Sequence, residues 1–98
     1  MAGGVIMPKV KLQLSNDTEE IWGFKCPACG RTHQFWTKKD GKPWWSFNGD
    51  VENPTVHPSV AVTMHDGFCH FFIKDGKMQF LNDCTHRLAG NTVEMENI

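Results

Sequence analysis

Hydrophobic and polar residues alternate in short runs along this chain, and Asn, Asp, Gly and Pro break the runs. "KVKLQL" sets Val10, Leu12 and Leu14 against Lys9, Lys11 and Gln13, the period-two pattern of a strand with one wet face. "SNDTEE" reads as a turn, and in the "IWGFKC" that follows Trp22, Phe24 and Cys26 share a parity. "THQFWTK" is a further strand, closed by the Asp-Gly turn signal of "KKDGKP". "WWSFNGD" and "SVAVTMH" continue the series. Between them, Pro54 and Pro58 keep "NGDVENPTVHP" from being a central strand throughout. No stretch before residue 83 holds helical spacing over a useful length, and "DCTHRLAG" supplies at most one helical turn, with Asp83 as N-cap and Gly90 as stop. The pattern predicts an all-β fold, a small antiparallel sheet or sandwich of about six or seven short strands, forming one domain over residues 1–98.

The best-specified hairpin lies in "GFCHFFIKDGKMQFLNDCTH", residues 67–86. Asp75-Gly76 tolerates the positive φ angles of a type I′ turn and fixes the register. Ile73 then pairs with Met78, Phe71 with Phe80 and Cys69 with Asn82, while Gly67 faces Cys84. Cys69, Phe71, Ile73, Met78, Phe80 and Cys84 share one face, and His70, Phe72, Gln79 and Leu81 share the other. Cys69 and Cys84 become diagonal neighbours roughly 7–8 Å apart. That is wide for a disulfide, whose Cα atoms sit within about 6.8 Å, but suits two ligands of one metal ion. His70 points away in this register, and only a bulge near Gly67 would re-aim it.

The cysteines change the picture most. A chain of 98 residues buries a modest core, and small domains often gain stability from a metal or a disulfide. The start, "MAGGVIMPKVK", lacks the features of a secretory signal, and no long apolar run spans a membrane, so a cytoplasmic setting is expected. In a reducing compartment the C-x-x-C of "KCPACGRTH" points to metal or redox chemistry. A Gly after the second Cys lets backbone N–H groups point at the sulfurs, as in half of a closed zinc site. With no βαβ pattern around it, a thioredoxin-like pair is disfavoured. The expected ligands of a structural Zn2+ are Cys26, Cys29, Cys69 and Cys84, with His70, His33 and His86 as competitors. His57 and His65 read as surface or strand-end residues.

Three blocks carry a resemblance: "CPACGRTH", "WSFNGDVENPTVHPSV" and "CHFFIKDGKMQFLNDCTHRLAGNTVEM". From about Trp22 to Met95 the chain resembles a small family of tailed-phage, prophage and bacterial proteins. Met78 stands where Ile is common, and Phe71 where a small residue is usual. The resemblance implies a zinc-binding domain in a phage or mobile-element setting and no particular reaction. More distant relatives occur beside ubiquitin-like conjugation genes in bacteria, which implies an accessory binding role. It also makes the Cys69-His70 step a fixed element. Neighbours on a regular strand rarely serve one metal, so one of the two is expected to have another task.

The leading expectation is a binding module for a host or phage protein, held together by zinc. The adjacent Trp44 and Trp45 of "KPWWSFNGD" are its candidate partner surface, since an exposed Trp anchors interfaces. The formal net charge of −1 gives no general attraction to nucleic acid, and Lys38, Lys39 and Lys42 support that partner only weakly. The alternative is a zinc-dependent hydrolase with an open metal position. It would use Cys26, Cys29 and Cys84 plus water, with His70 or Asp83 as base and His86 and Glu52 in reserve. The H-x-E … P-C-x-x-C signature of zinc deaminases is absent.

Overall fold

The computed structural model describes residues 7–98; most of the start weighed as a secretory signal lies outside them. The fold is all-β, as the alternation predicts. Among the described residues nine strands form two antiparallel sheets. The first sheet has the order β1 (Lys11–Ser15), β2 (Glu20–Lys25), β3 (Thr32–Lys39), β4 (Lys42–Pro43). The second has the order β5 (Ser46–Phe47), β6 (Val56–Met64), β7 (Gly67–Lys74), β8 (Lys77–Phe80), β9 (Thr92–Glu94). The strand count exceeds the expected six or seven because β4 and β9 are too short to show alternation, while β5 falls within "WWSFNGD". Residues 81–91 wind through turns, and no helix forms among the described residues.

The sheets meet through alternate residues of each strand. Phe24 and Phe35 come from the first sheet, and Val56, Val60, Phe71, Ile73, Met78 and Phe80 from the second, all at most 2% exposed. Each such side chain contributes on the order of 1.5–3 kcal/mol by leaving water. Phe24 meets Phe71 edge-on across the interface, ring centroids 5.7 Å apart. β1 departs from its pattern: Val10 is buried, but Leu12 and Leu14 are exposed. β1 is the edge strand of the first sheet, and a register irregularity between those two leucines interrupts its alternation.

The hairpin takes the predicted register, Phe71 with Phe80 and Ile73 with Met78, around a turn with φ of 50° at Asp75 and 76° at Gly76. Cys69, Phe71, Ile73, Met78, Phe80 and Cys84 are all buried. The pairing stops at Phe80, so the expected Cys69–Asn82 and Gly67–Cys84 pairs do not form. One further bond keeps the register, Leu81 N–H donating to the His70 carbonyl at 2.9 Å, and the chain then turns, with Cys84 N–H donating to the Leu81 carbonyl at 3.2 Å.

β6 carries the irregularity that matters most. Val56 pairs with Ile73, but Val60 pairs with Phe71, so His57, Pro58 and Ser59 span the width of Phe72 alone. Such a bulge bends the strand and re-aims its side chains. Ser59 follows the cis His57–Pro58 peptide at the end of this bulge, two residues before Ala61, the cross-strand partner of His70.

Candidate functional site

The structure divides the sequence's candidate ligands between two centres on opposite faces of β7. On the outer face, Ser59 Oγ lies 3.0 Å from His70 Nε2. The other ring nitrogen of His70, Nδ1, lies 3.0 Å from Asp83 Oδ2 and 3.3 Å from Oδ1. Asp83 draws the proton to Nδ1, which leaves Nε2 as the acceptor for the Ser59 hydroxyl. This is the geometry of a serine nucleophile, a general base and an orienting carboxylate.

Local structure sets each member of this row. Ser59 is held through its carbonyl, which accepts a hydrogen bond from Trp45 Nε1 at 3.3 Å. The Asp83 turn is tied to β7 by its neighbours. His70 N–H donates to Cys84 Sγ at 3.2 Å, and Cys84 Sγ–H donates to the His70 carbonyl at 3.1 Å. Thr85 Oγ1 accepts from Phe68 N–H at 2.8 Å. Gly67 makes room for this turn, since a Cβ there would stand 2.5 Å from Thr85 Oγ1. The His70 side chain is 24% exposed and that of Asp83 55% exposed.

On the inner face, ligand atoms of Cys26, Cys29, His33 and Cys69 all lie within 4.8 Å of one another. The Cys26–Cys69 sulfur separation is 4.0 Å. A tetrahedral ion with Zn–S bonds of about 2.3 Å separates its sulfurs by roughly 3.8 Å. The knuckle is shaped by Cys26 N–H donating to Arg31 O and Gly30 N–H donating to Cys26 O, with Gly30 at φ 67°. The most telling atom is His33 Nε2, which is buried with no hydrogen-bond partner among the described residues. A buried, unsatisfied imidazole nitrogen beside three thiols is costly unless a cation takes its lone pair.

The thiols behave accordingly. The Cys69 hydrogen bond pulls the Cys26 thiol down to about 4, against the opposing effect of burial. Cys69 is pushed up, first by its hydrogen bond to Cys26 and then by burial, so the pair keeps one proton between them. Burial and the neighbouring Cys26 also raise Cys29. A divalent cation would replace that shared proton and let all three sulfurs serve as thiolates. The residues present therefore fit a closed Cys₃His site.

Of the five residues expected to bind metal, Cys26, Cys29 and Cys69 are brought together. His70 is engaged with Ser59 and Asp83, and Cys84 with the His70 main chain. His86 approaches Cys69 Sγ at 3.4 Å and forms a second, smaller group with Cys69 and Cys84. Glu52 is used elsewhere, its carboxylate accepting from Met7 N–H. Trp44 is 56% exposed, while Trp45 is half-buried against Ser59. Ser59 escaped the sequence reading altogether. Its only signal was its place in "PTVHPSV", because no G-x-S-x-G elbow surrounds it.

Fold and site together define an all-β protein that carries a Ser-His-Asp row back to back with a Cys/His cluster able to hold a metal ion. The chain belongs to the family described as bacterial ubiquitination-like system serine protease (BubE), whose sequence model matches residues 5–81. Ser59 and His70 fall inside the matched span and Asp83 just beyond it. The description names neither phage nor zinc. No curated protein and no solved structure matches the chain. Among the described residues, no helix is long and apolar enough to cross a membrane.

Proposed function

We propose that this chain is a serine hydrolase acting on peptide bonds, with Ser59 as nucleophile, His70 as general base and Asp83 as the group that orients it. The observation that carries the reading is the unbroken row from Ser59 Oγ through both ring nitrogens of His70 to Asp83, each step 3.0 Å. The family description adds support for protease chemistry and for a substrate within a bacterial ubiquitination-like system.

Ser59 Oγ attacks the carbonyl carbon of the scissile bond while its proton passes to His70 Nε2. The tetrahedral adduct collapses, the C–N bond breaks, and the leaving amine takes that proton from His70. Water then attacks the Ser59 ester, again giving its proton to His70, and the acid product leaves with Ser59 restored. Asp83 holds the ring in the productive tautomer throughout. Its exposure means that orientation, more than charge stabilisation, is its contribution.

Cys26, Cys29, His33 and Cys69 would hold Zn2+ as a structural ion, since four protein ligands close the site. When bound, it cross-links the knuckle of the first sheet to β7 of the second. This role replaces the open-position zinc hydrolase as the enzymatic reading, because the base and nucleophile stand on the other face of the strand.

The test is labelling of the purified protein with a fluorophosphonate, followed by peptide mapping. Covalent modification at Ser59, lost in Ser59→Ala and strongly reduced in His70→Ala, supports the assignment. An unlabelled Ser59 in a folded, metal-loaded protein would overturn it.

A binding role for a macromolecular partner keeps one specific support. Trp44 stands exposed, with Lys39 Nζ 5.6 Å from its ring centroid. The two readings join if that partner is the protein substrate.

A further inference from the structure

β6 is covered on its outer edge only at its start. β5 pairs with it at Val56 and His57 and then ends. Among the described residues no strand flanks Val60–Met64 on that side. The ladder on the other side decides which backbone groups are left over. His70 gives its carbonyl to Leu81 N–H, and Phe68 gives its carbonyl to Thr85 N–H, so both residues turn their backbone groups away from β6. In an antiparallel ladder their cross-strand partners, Ala61 and Thr63, must then turn their own N–H and C=O outward. Both residues are exposed.

A cavity of about 330 Å³ runs along this edge. Gln34 and Trp36 of β3 line it from the other sheet, and Trp45 lines it beside them. Trp45 also hydrogen-bonds the Ser59 carbonyl, and Val60, the residue after Ser59, lines the groove, so its near end adjoins the nucleophile. No Asp, Glu, Lys or Arg lines it.

We propose that this groove seats an extended peptide as an added strand on β6, hydrogen-bonded to Ala61 and Thr63, with its scissile carbonyl delivered to Ser59. The proposal rests on the serine-hydrolase reading above and names how its substrate is held. The repeat selects the occupant. Donor–acceptor pairs at alternate residues, roughly 6.6 Å apart, match the repeat of an extended polypeptide and of little else. Although Ser59 ends the bulge, its hydroxyl lies on the His70 face and His70 is the cross-strand partner of Ala61, so a substrate strand in register with Ala61 and Thr63 is led toward it. Its stretch between Thr63 and Ser59 covers roughly 13 Å, about four residues. The uncharged lining selects neutral side chains where that strand faces the groove.

The experiment pairs two substrates on one enzyme. A mixed-sequence peptide library digested with the wild-type protein and read by mass spectrometry supplies a cleaved peptide; p-nitrophenyl acetate supplies a substrate too small to reach the edge. Thr63→Pro removes one N–H from an edge position where proline is tolerated. The ratio of peptide to ester kcat/KM should fall about tenfold or more. The same peptide N-methylated at alternate positions should lose a similar factor on wild-type enzyme, which covers the case of a variant that misfolds. Fluorophosphonate labelling of Ser59 with undiminished cleavage in both arms overturns the docking edge and leaves the triad standing. Labelling with no library peptide cleaved also overturns it. Absence of labelling overturns the triad and the docking edge together.

Discussion

Cys69 and His70 are consecutive on β7 and serve different centres. The Cys69 sulfur meets Cys26 on the inner face at 4.0 Å, and the His70 ring meets Ser59 on the outer face at 3.0 Å. Strand alternation makes this separation unavoidable. It also makes the two centres mechanically continuous, since an ion that fixes Cys69 fixes the backbone from which His70 projects.

Metal removal should therefore abolish activity without the metal taking part in the reaction. Chelation, Cys26→Ser or His33→Ala should each lower Tm by more than about 10 °C, because losing a closed site removes several kcal/mol from a domain of this size. Activity should disappear in step with folding and return on adding Zn2+ to the chelated wild type. Thermal unfolding and native mass spectrometry check this together. Retained stability in metal-free protein would remove the structural role.

The carboxylate makes a graded prediction. In a buried triad, replacing the aspartate by asparagine costs about 10⁴ in kcat because the amide enforces the wrong tautomer. The Asp83 side chain is 55% exposed and free to present either amide atom to Nδ1. Asp83→Asn should lose only about 10- to 100-fold, and Asp83→Ala more, on the order of 10²–10³. Initial rates on the small ester measure both, and a loss as large as that of Ser59→Ala would show that substrate binding buries this carboxylate.

Much of this arrangement was legible in the chain, and the part that was not has a physical cause. Period-two runs located the core: Phe24, Phe71, Ile73, Met78 and Phe80 are buried where parity put them. The Asp75-Gly76 turn fixed which residues shared the inner face and turned His70 outward, away from the sulfurs. Parity alone could not say what His70 would meet there. Its partner depends on the bulge at His57–Ser59, which shifts the β6 register between Val56 and Val60. The chain order Ser59, His70, Asp83 also matches none of the orders of the chymotrypsin, subtilisin or α/β-hydrolase triads, so no familiar spacing announces it. His33, weighed as a competitor ligand, needed the pairing of Phe24 with His33 to bring it beside the knuckle.

Cys84 separates structural from ligand chemistry. Its sulfur accepts from His70 N–H and donates to His70 O, holding the turn that carries Asp83. Cys84→Ala leaves that half-buried N–H without a partner, at a cost of about 1–3 kcal/mol, or a Tm loss of roughly 5–20 °C. Cys84→Ser keeps a donor and an acceptor and should recover most of the stability and activity. Metal content should stay at one ion in both variants, measured by native mass spectrometry. Loss of the ion in Cys84→Ser would instead place Cys84 among the ligands.

The two adjacent tryptophans should fail in different ways. Trp45→Phe keeps the ring but removes the indole N–H that fixes the Ser59 carbonyl. The cost is one neutral hydrogen bond, about 1 kcal/mol, felt where the nucleophile is positioned. It should lower kcat on the small ester about five-fold and leave the fold intact. Trp44 is exposed and touches Trp45 edge-on, with ring centroids 6.3 Å apart, but makes no bond to Ser59, His70 or Asp83. Trp44→Ala should therefore leave Tm within a few degrees and raise KM for a protein substrate about ten-fold or more, as expected for an aromatic interface anchor. Steady-state kinetics on ester and protein substrates separate the two effects. Equal losses on both substrates in Trp44→Ala would mean that it supports Trp45 rather than a partner.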